Sequence, residues 1–380
     1  MEDDGGFTYT HSEAITTLSF SPSAESGNLL AVAGSARVSL LSNGPHADSG
    51  LTHLYDFHHG MGHVHALTWS PASLLTGSPA AASTAIAANA ELARMAGPDP
   101  SSTSASTSAS TSASTAATAP GSTSVFAEKT GGENASSAHL AFAMAGGDGK
   151  IMYYAADVVE ALNVRVVFAD GHDGYVNDLA FSPLADSADT LASVSDDCSL
   201  ALHSLETQST LKSFGLDSPG LAVKFHPDSP FQVMVGQRNG SIALYDLRAG
   251  IPAYSILHPG NGVFVDTDWS VPNPNLIGAL DPDAFYVFDV RAGYVSDPVV
   301  ASGPCHGTGS AALFAWSNTD ESVFATASAT DAIKIWDLDN LDAPVLHSQS
   351  GTHVSALSWS GASPCLATAG SDTLYCWFSY

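Results

Sequence analysis

The chain has 380 residues, and 38 acidic against 11 basic side chains leave a formal charge of −27. Phosphate affinity comes from Lys and Arg displacing condensed counterions, so this balance argues against direct binding to DNA, RNA or anionic lipid. No run approaches the roughly 18–20 apolar residues of a membrane helix, and the acidic start MEDDGGFTYT lacks the basic-then-apolar order of a signal peptide, which predicts an unsecreted chain without membrane insertion.

A short phrase recurs along the chain: an alternating apolar segment ends in an aromatic, followed by Ser or His and often Pro. The copies are LSFSP at Phe20, LTWSP at Trp69, LAFSP at Phe181, VKFHP at Phe225, TDWSVP at Trp269, FAWSN at Trp316 and LSWSG at Trp359. They lie 49, 112, 44, 44, 47 and 43 residues apart. All but one spacing sits at or just above the roughly 40–45 residues of a four-stranded propeller blade. Each phrase leads into a second apolar run, a turn rich in Asp, Asn or Gly, and a third run closed by an aromatic, as in LASVSDDCSLALHS and FATASATDAIKIWDL. Alternation of β-branched and aromatic residues between turn formers predicts strand, turn, strand. The expected fold is all-β, a seven-bladed β-propeller. The chain stops at Tyr380 after the third strand of the last blade, and Phe7-Thr8-Tyr9-Thr10 are placed to supply its missing outer strand. Pairing the two ends removes an open sheet edge.

The 112-residue interval exceeds a 45-residue blade by roughly 67 residues. The excess falls between LTWSPASLL and HLAFAMAGGDGK, within the second blade. The domain reading is therefore one propeller over residues 1–380, with 76–137 a low-complexity insertion. Its tract SSTSASTSASTSASTAAT has no aromatic and no β-branched apolar residue to bury, so disorder is predicted, with SPAAASTAIAANAELARMAG leaving room for a short helix.

Gly-His elements stand before several phrases, at Gly62-His63 and Gly171-His172, with a variant at Gly351-Thr352-His353; the sixth blade ends in Trp336-Asp337. These are the marks of a WD40-type propeller. In such a blade a loop His, a strand Ser, a turn Asp and a strand Trp share one buried hydrogen-bond network, stable only when every member is satisfied. His172, Ser195 and Asp197 are the candidates in the third blade, where the Trp position holds His203. That network is expected to be incomplete, leaving stability to apolar packing. Trp336 and Asp337 are the corresponding structural residues of the sixth blade.

Candidate chemistry is sparse. His58, His59, His63 and His65 crowd eight residues, as a zinc or copper site would, but His63 is claimed by the Gly-His element and the Gly-rich link offers no rigid template. Gly146-Gly147-Asp148-Gly149 lies between strands and reads as a turn, as does the Asp281-Pro282-Asp283 sequence. No nucleophile elbow, phosphate loop or dinucleotide loop appears where a strand would enter a helix, so no catalytic, cofactor or metal residue is assigned. Cys198, Cys305, Cys365 and Cys376 are scattered and read as reduced thiols. Tyr245-Asp246-Leu247-Arg248 and Phe288-Asp289-Val290-Arg291 share the spacing of the W-D-x-R box of propeller receptors that dock on a cullin-ring ubiquitin ligase adaptor.

Longer phrases resemble one family. SGNLLAVAG at 26–34, DFHHG at 56–60, LASVSDD at 191–197, SPGLAVKFHPDSPFQVMVGQRNGSIALYDL at 218–247, LFAWSNTDESVFATAS at 313–328 and the terminal LSWSGASPCLATAGSDTLYCWF are similar to the small WD40 nucleoporins of the nuclear pore's Y-shaped scaffold, the thirty-seven-kilodalton class. The chain looks like a fungal-type member with an Ala/Ser/Thr-rich insertion. The resemblance implies a non-enzymatic scaffold subunit at the nuclear envelope. Its implied partners are the large propeller-and-solenoid nucleoporin at the short arm of the Y and an Elys-type protein beside it, with support for protein import and messenger RNA export. It transfers no partner-binding residue. A ubiquitin-ligase substrate receptor is the rival reading, and a metalloenzyme the third. Recovery of Y-complex nucleoporins, recovery of the cullin adaptor lost on Arg248→Ala plus Arg291→Ala, and bound metal with turnover separate the three.

Overall fold

A computed structural model describes residues 7–22, 29–43, 50–61, 63–71, 74–75, 138–157, 162–168, 171–184, 189–292, 297–307, 310–328, 332–349 and 353–378. The aromatic phrases form the innermost strands of seven antiparallel sheets: Thr17–Phe20, Val64–Trp69, Val176–Phe181, Gly220–His226, Asp266–Trp269, Ala311–Trp316 and Val354–Trp359. Each innermost strand neighbours the next around a common axis, and the last neighbours the first. The third blade shows the plan, running outward through Val176–Phe181, Thr190–Ser195, Ser199–Ser204 and Ser209–Gly215.

The phrase has a physical role at both of its residues. All seven aromatics are buried between blades. The Ser that follows six of them is buried too, and its N–H donates to a carbonyl at the start of the second strand, as Ser182 does to Thr190 at 3.0 Å and Ser360 to Cys365 at 2.9 Å. The aromatic fills the gap and the Ser closes the hairpin. Second strands are buried on both faces, which is why they are rich in Ala and Gly (LLAVA, LASVS, CLATAG). Among the described residues, seven apolar clusters form, one in each gap between neighbouring blades.

Ring closure follows the expected route. Phe7–Thr10 pairs antiparallel with Thr373–Phe378, in the register Phe7 to Cys376 and Thr10 to Thr373, and becomes the outermost strand of the seventh blade. His11 N–H continues the tie by donating to the Asp372 carbonyl at 2.7 Å. The predicted insertion 76–137 lies outside the described residues. Its flanks are described: Leu74–Leu75 pairs with the start of Ala138–Gly146, Leu75 opposite Ala138, inside the second blade.

Gly278, on the second strand of the fifth blade, is required by close packing. A Cβ there would overlap the Phe314 ring and lie 2.8 Å from Trp316 Nε1. Gly278→Ala is expected to cost about 1–3 kcal/mol by overpacking, read as a lower urea midpoint with an unchanged slope. A midpoint equal to wild type would show that the gap is slacker than its geometry.

Candidate functional site

In the third blade, His172 Nδ1 lies 2.9 Å from Asp197 Oδ2 and 3.0 Å from Ser199 Oγ, while its Nε2 lies 2.7 Å from Ser193 Oγ. Ser193 is also 2.8 Å from His203 Nε2, and His203 Nδ1 is 3.0 Å from Thr210 Oγ1. With both rings uncharged, the donors run one way: Thr210 to His203, His203 to Ser193, Ser193 to His172, and His172 to Asp197. The serine that meets His172 is therefore Ser193. Ser195 stands aside and accepts the Asp197 N–H at 3.1 Å. His203 takes the tryptophan's place and leaves no nitrogen of this chain unpaired. Burial, and then the charge of His172, lower its pKa to about 4.

The sixth blade repeats the motif, with Trp336 Nε1 donating to Thr326 Oγ1 at 2.9 Å and His306 Nε2 3.0 Å from the same hydroxyl. Asp337 lies apart from it, accepting the Asp339 N–H at 2.9 Å in a turn. Trp377 donates to Thr368 at 3.1 Å in the seventh blade. In the first, His11 meets Ser39 at 2.9 Å and Ser39 donates to Asp56 at 2.6 Å. In the fifth, His258 lies 3.0 Å from Asp281. Burial would raise the carboxyls of Asp56, Asp197 and Asp281, yet hydrogen bonds hold all three below the usual range. Asp281 Oδ1 also accepts the Asp283 N–H at 2.7 Å, so the Asp-Pro-Asp sequence is a turn within this network.

Of the histidine group at 58–65, His59 is the buried member, its Nδ1 accepting the Met61 N–H at 3.1 Å, whereas His63 is exposed and faces His65 with ring centroids 4.7 Å apart. The Gly-His reading placed the buried ring at His63; the loop is four residues longer before the strand than that reading assumed. Among the described residues no three His, Cys, Asp or Glu side chains converge as metal ligands. All four cysteines are free thiols, and the Cys376 thiol is pushed up by its contact with Cys365 and by burial.

The axial channel gathers charges the sequence kept apart. Asp178, Lys224, Asp266 and Asp268, from the third, fourth and fifth blades, line a cavity of about 710 Å³. Lys224 Nζ lies 2.9 Å from Asp178 Oδ2, which also accepts the Val223 N–H at 3.0 Å. Asp266 and Asp268 accept the Phe314 and Trp316 N–H groups at 2.8 and 2.9 Å, stitching the fifth blade to the sixth. Three carboxylates around one ammonium cannot all ionise without cost. Burial raises both Asp266 and Asp268, with the carboxylates as further causes, and Asp266 reaches about 7 against the pull of Phe314 N–H and Lys224. Lys224 resists burial through the same carboxylates and stays charged.

A carboxyl whose folded pKa is raised gives up stability as pH climbs from its unfolded value near 3.8 through about 7. Asp266→Asn keeps an oxygen for the Phe314 N–H and removes the charge. Channel water screens the group, so an expected gain on the order of 1–2 kcal/mol at pH 8, shrinking towards pH 5, is well below the ~4 kcal/mol that three pH units represent. Urea unfolding at the two pH values checks it; a variant less stable than wild type at pH 8 would contradict it.

On the face carrying the turns between third and fourth strands, the two Asp-x-Arg corners repeat one geometry. Arg248 Nε and Nη2 donate to Asp246 at 2.9 and 2.6 Å, and Arg291 Nε and Nη2 donate to Asp289 at 3.0 and 2.6 Å.

Comparison with known proteins fits this architecture. The family described as WD domain, G-beta repeat matches residues 164–204, one repeat running from the outer strand of the second blade through three strands of the third. Nucleoporin Nup37 of Mus musculus is 31% identical over 243 residues, 63% of this chain and 71% of the mouse protein. The Homo sapiens protein of the same name is 29% identical over the same shares. That of Drosophila melanogaster is 29% identical over 147 residues, 38% of this chain and 44% of its own length.

Proposed function

The chain belongs to the nucleoporin Nup37 family, which makes it a nuclear pore protein, and from that premise we propose that it is a non-enzymatic scaffold subunit of the pore's Y-shaped complex. In this reading it docks on the large propeller-and-solenoid nucleoporin of the short arm, beside an Elys-type protein, and supports import and messenger RNA export by holding that arm together. The carrying observation is the 31% identity to mouse Nucleoporin Nup37 across 71% of that protein. A closed ring with seven packed gaps supports it, because a rigid disc offers preformed surfaces at little ordering cost.

The test is location and company in living cells. A fluorescent fusion is expected to mark a punctate nuclear rim, and affinity purification to recover Y-complex nucleoporins. A diffuse signal with no nucleoporin recovered would overturn the reading. The Asp-x-Arg corners favour the ligase-receptor alternative, which requires recovery of the cullin adaptor, lost in Arg248→Ala plus Arg291→Ala.

A further inference from the structure

Between the fourth and fifth blades, on the face of the Asp-x-Arg corners, lies a crevice of about 340 Å³ lined by His226, Leu244, Tyr245, Tyr254, Trp269 and Val290. Its floor is apolar and aromatic. Asp246 sits at its edge, paired across the sheet with Gln232 on one side and Ile251 on the other. Phe231 and Ile251, next to those lining positions, are 48% and 65% exposed, although burial in the blade asks nothing apolar of either. Aromatic, aliphatic and Arg side chains around a preformed crevice are the composition of an energetic centre in protein interfaces.

The two arginines decide what fits. Their side chains are 65% and 67% exposed, and Arg291 follows Val290 of the crevice wall. Both spend Nε and Nη2 on their own Asp; among the described residues, Nη1 of neither makes a hydrogen bond. The Arg248 guanidinium also lies over the Phe231 ring, 5.1 Å from its centre, which fixes its plane. Each guanidinium is held in place with an outward donor still to satisfy, and a planar, oriented N–H group suits a carboxylate oxygen. The chain's charge of −27 does not forbid this, because it is screened beyond about 8 Å at physiological salt and contact is settled by the nearest groups. Since Asp246 and Asp289 already neutralise the arginines, affinity comes from the apolar crevice and the donors choose a carboxylate over an ammonium.

We infer that the crevice between blades four and five is the docking surface of this subunit, and that its occupant is a segment of a scaffold nucleoporin bearing an apolar side chain with an Asp or Glu beside it. The partner's identity rests on the scaffold reading above; the chemistry of the segment rests on the surface. The experiment is site-specific photo-crosslinking in the full chain, with p-benzoylphenylalanine at Phe231, followed by sequencing of the joined peptide. Recovery of nucleoporins by Arg248→Glu plus Arg291→Glu and by Tyr175→Ala, on the opposite face, is measured alongside, and circular dichroism verifies folding. The crosslink is expected in a nucleoporin segment with an acidic residue next to an apolar one. Recovery is expected to fall at least tenfold in the double arginine variant and to persist in Tyr175→Ala. A crosslink into a Lys/Arg-rich segment, or full recovery by the double variant, overturns the docking surface while the scaffold reading stands. A crosslink into the cullin adaptor, or a wild-type chain that recovers no nucleoporin, overturns both.

Discussion

Deleting residues 1–10 is expected to destabilise the ring by roughly 4 kcal/mol or more and to turn a monomer into an aggregating species. The strand Phe7–Thr10 pairs four residues with the last blade, and each lost backbone hydrogen bond is worth about 1 kcal/mol. Tyr9 packs against the apolar cluster between the seventh and first blades, and uncovering it adds about 1–2 kcal/mol. The deletion also bares Thr373–Phe378, an unpaired strand carrying apolar and aromatic residues and ready to pair with another chain. Thermal unfolding and size-exclusion chromatography read both effects. A truncated protein that stays monomeric with an unchanged melting temperature would show that packing between the first and last blades suffices to hold the circle.

Below neutrality the wild type is expected to lose stability through His203, and His203→Gln to lose much less. The ring is fully buried and its folded pKa, about 4, lies below the ordinary 6.5. Between these values the unfolded chain takes up a proton that the folded chain refuses, so this contribution is complete above pH 6.5 and drains away as pH falls towards 4. Two and a half pH units correspond to about 3 kcal/mol. Gln cannot titrate and reaches the Ser193 hydroxyl, though the Thr210 contact is sacrificed, so the variant starts lower at pH 7 by about 1 kcal/mol. From pH 7 to 4.5 the wild type should fall by roughly 2–3 kcal/mol more than the variant. Parallel loss in the two proteins would mean that the imidazole titrates freely in the fold.

The ring was legible because its repeat marks a physical necessity. Every gap needs a large aromatic and every hairpin needs a closing N–H, so Phe20 through Trp359 and their serines announce seven sheets. The buried network was legible only in part. Ser193 and Ser195 point to the same face of one strand, and a single blade does not tell them apart; the two hydroxyls that meet tryptophans, Thr326 and Thr368, align with Ser193. His59 escaped because the link between the loop histidine and the inner strand varies in length: His11 precedes Thr17 by six residues and His172 precedes Val176 by four. The channel charges had no local signal at all. Asp178, Lys224, Asp266 and Asp268 each read as an unremarked polar residue in a strand, and only the closed circle sets them facing one another.

Leu74–Leu75 and the start of Ala138–Gly146 clasp the two ends of the 76–137 stretch at the mouth of a hairpin. Once both ends are fixed side by side, the chain-closure penalty grows only with the logarithm of what lies between, about 0.6 kcal/mol for each doubling. The second blade is thus nearly indifferent to the number of residues threaded through that clasp. Drift in the tract's length and wording leaves the disc untouched, and the same gap would take a grafted reporter domain as readily as the native run of serines and alanines.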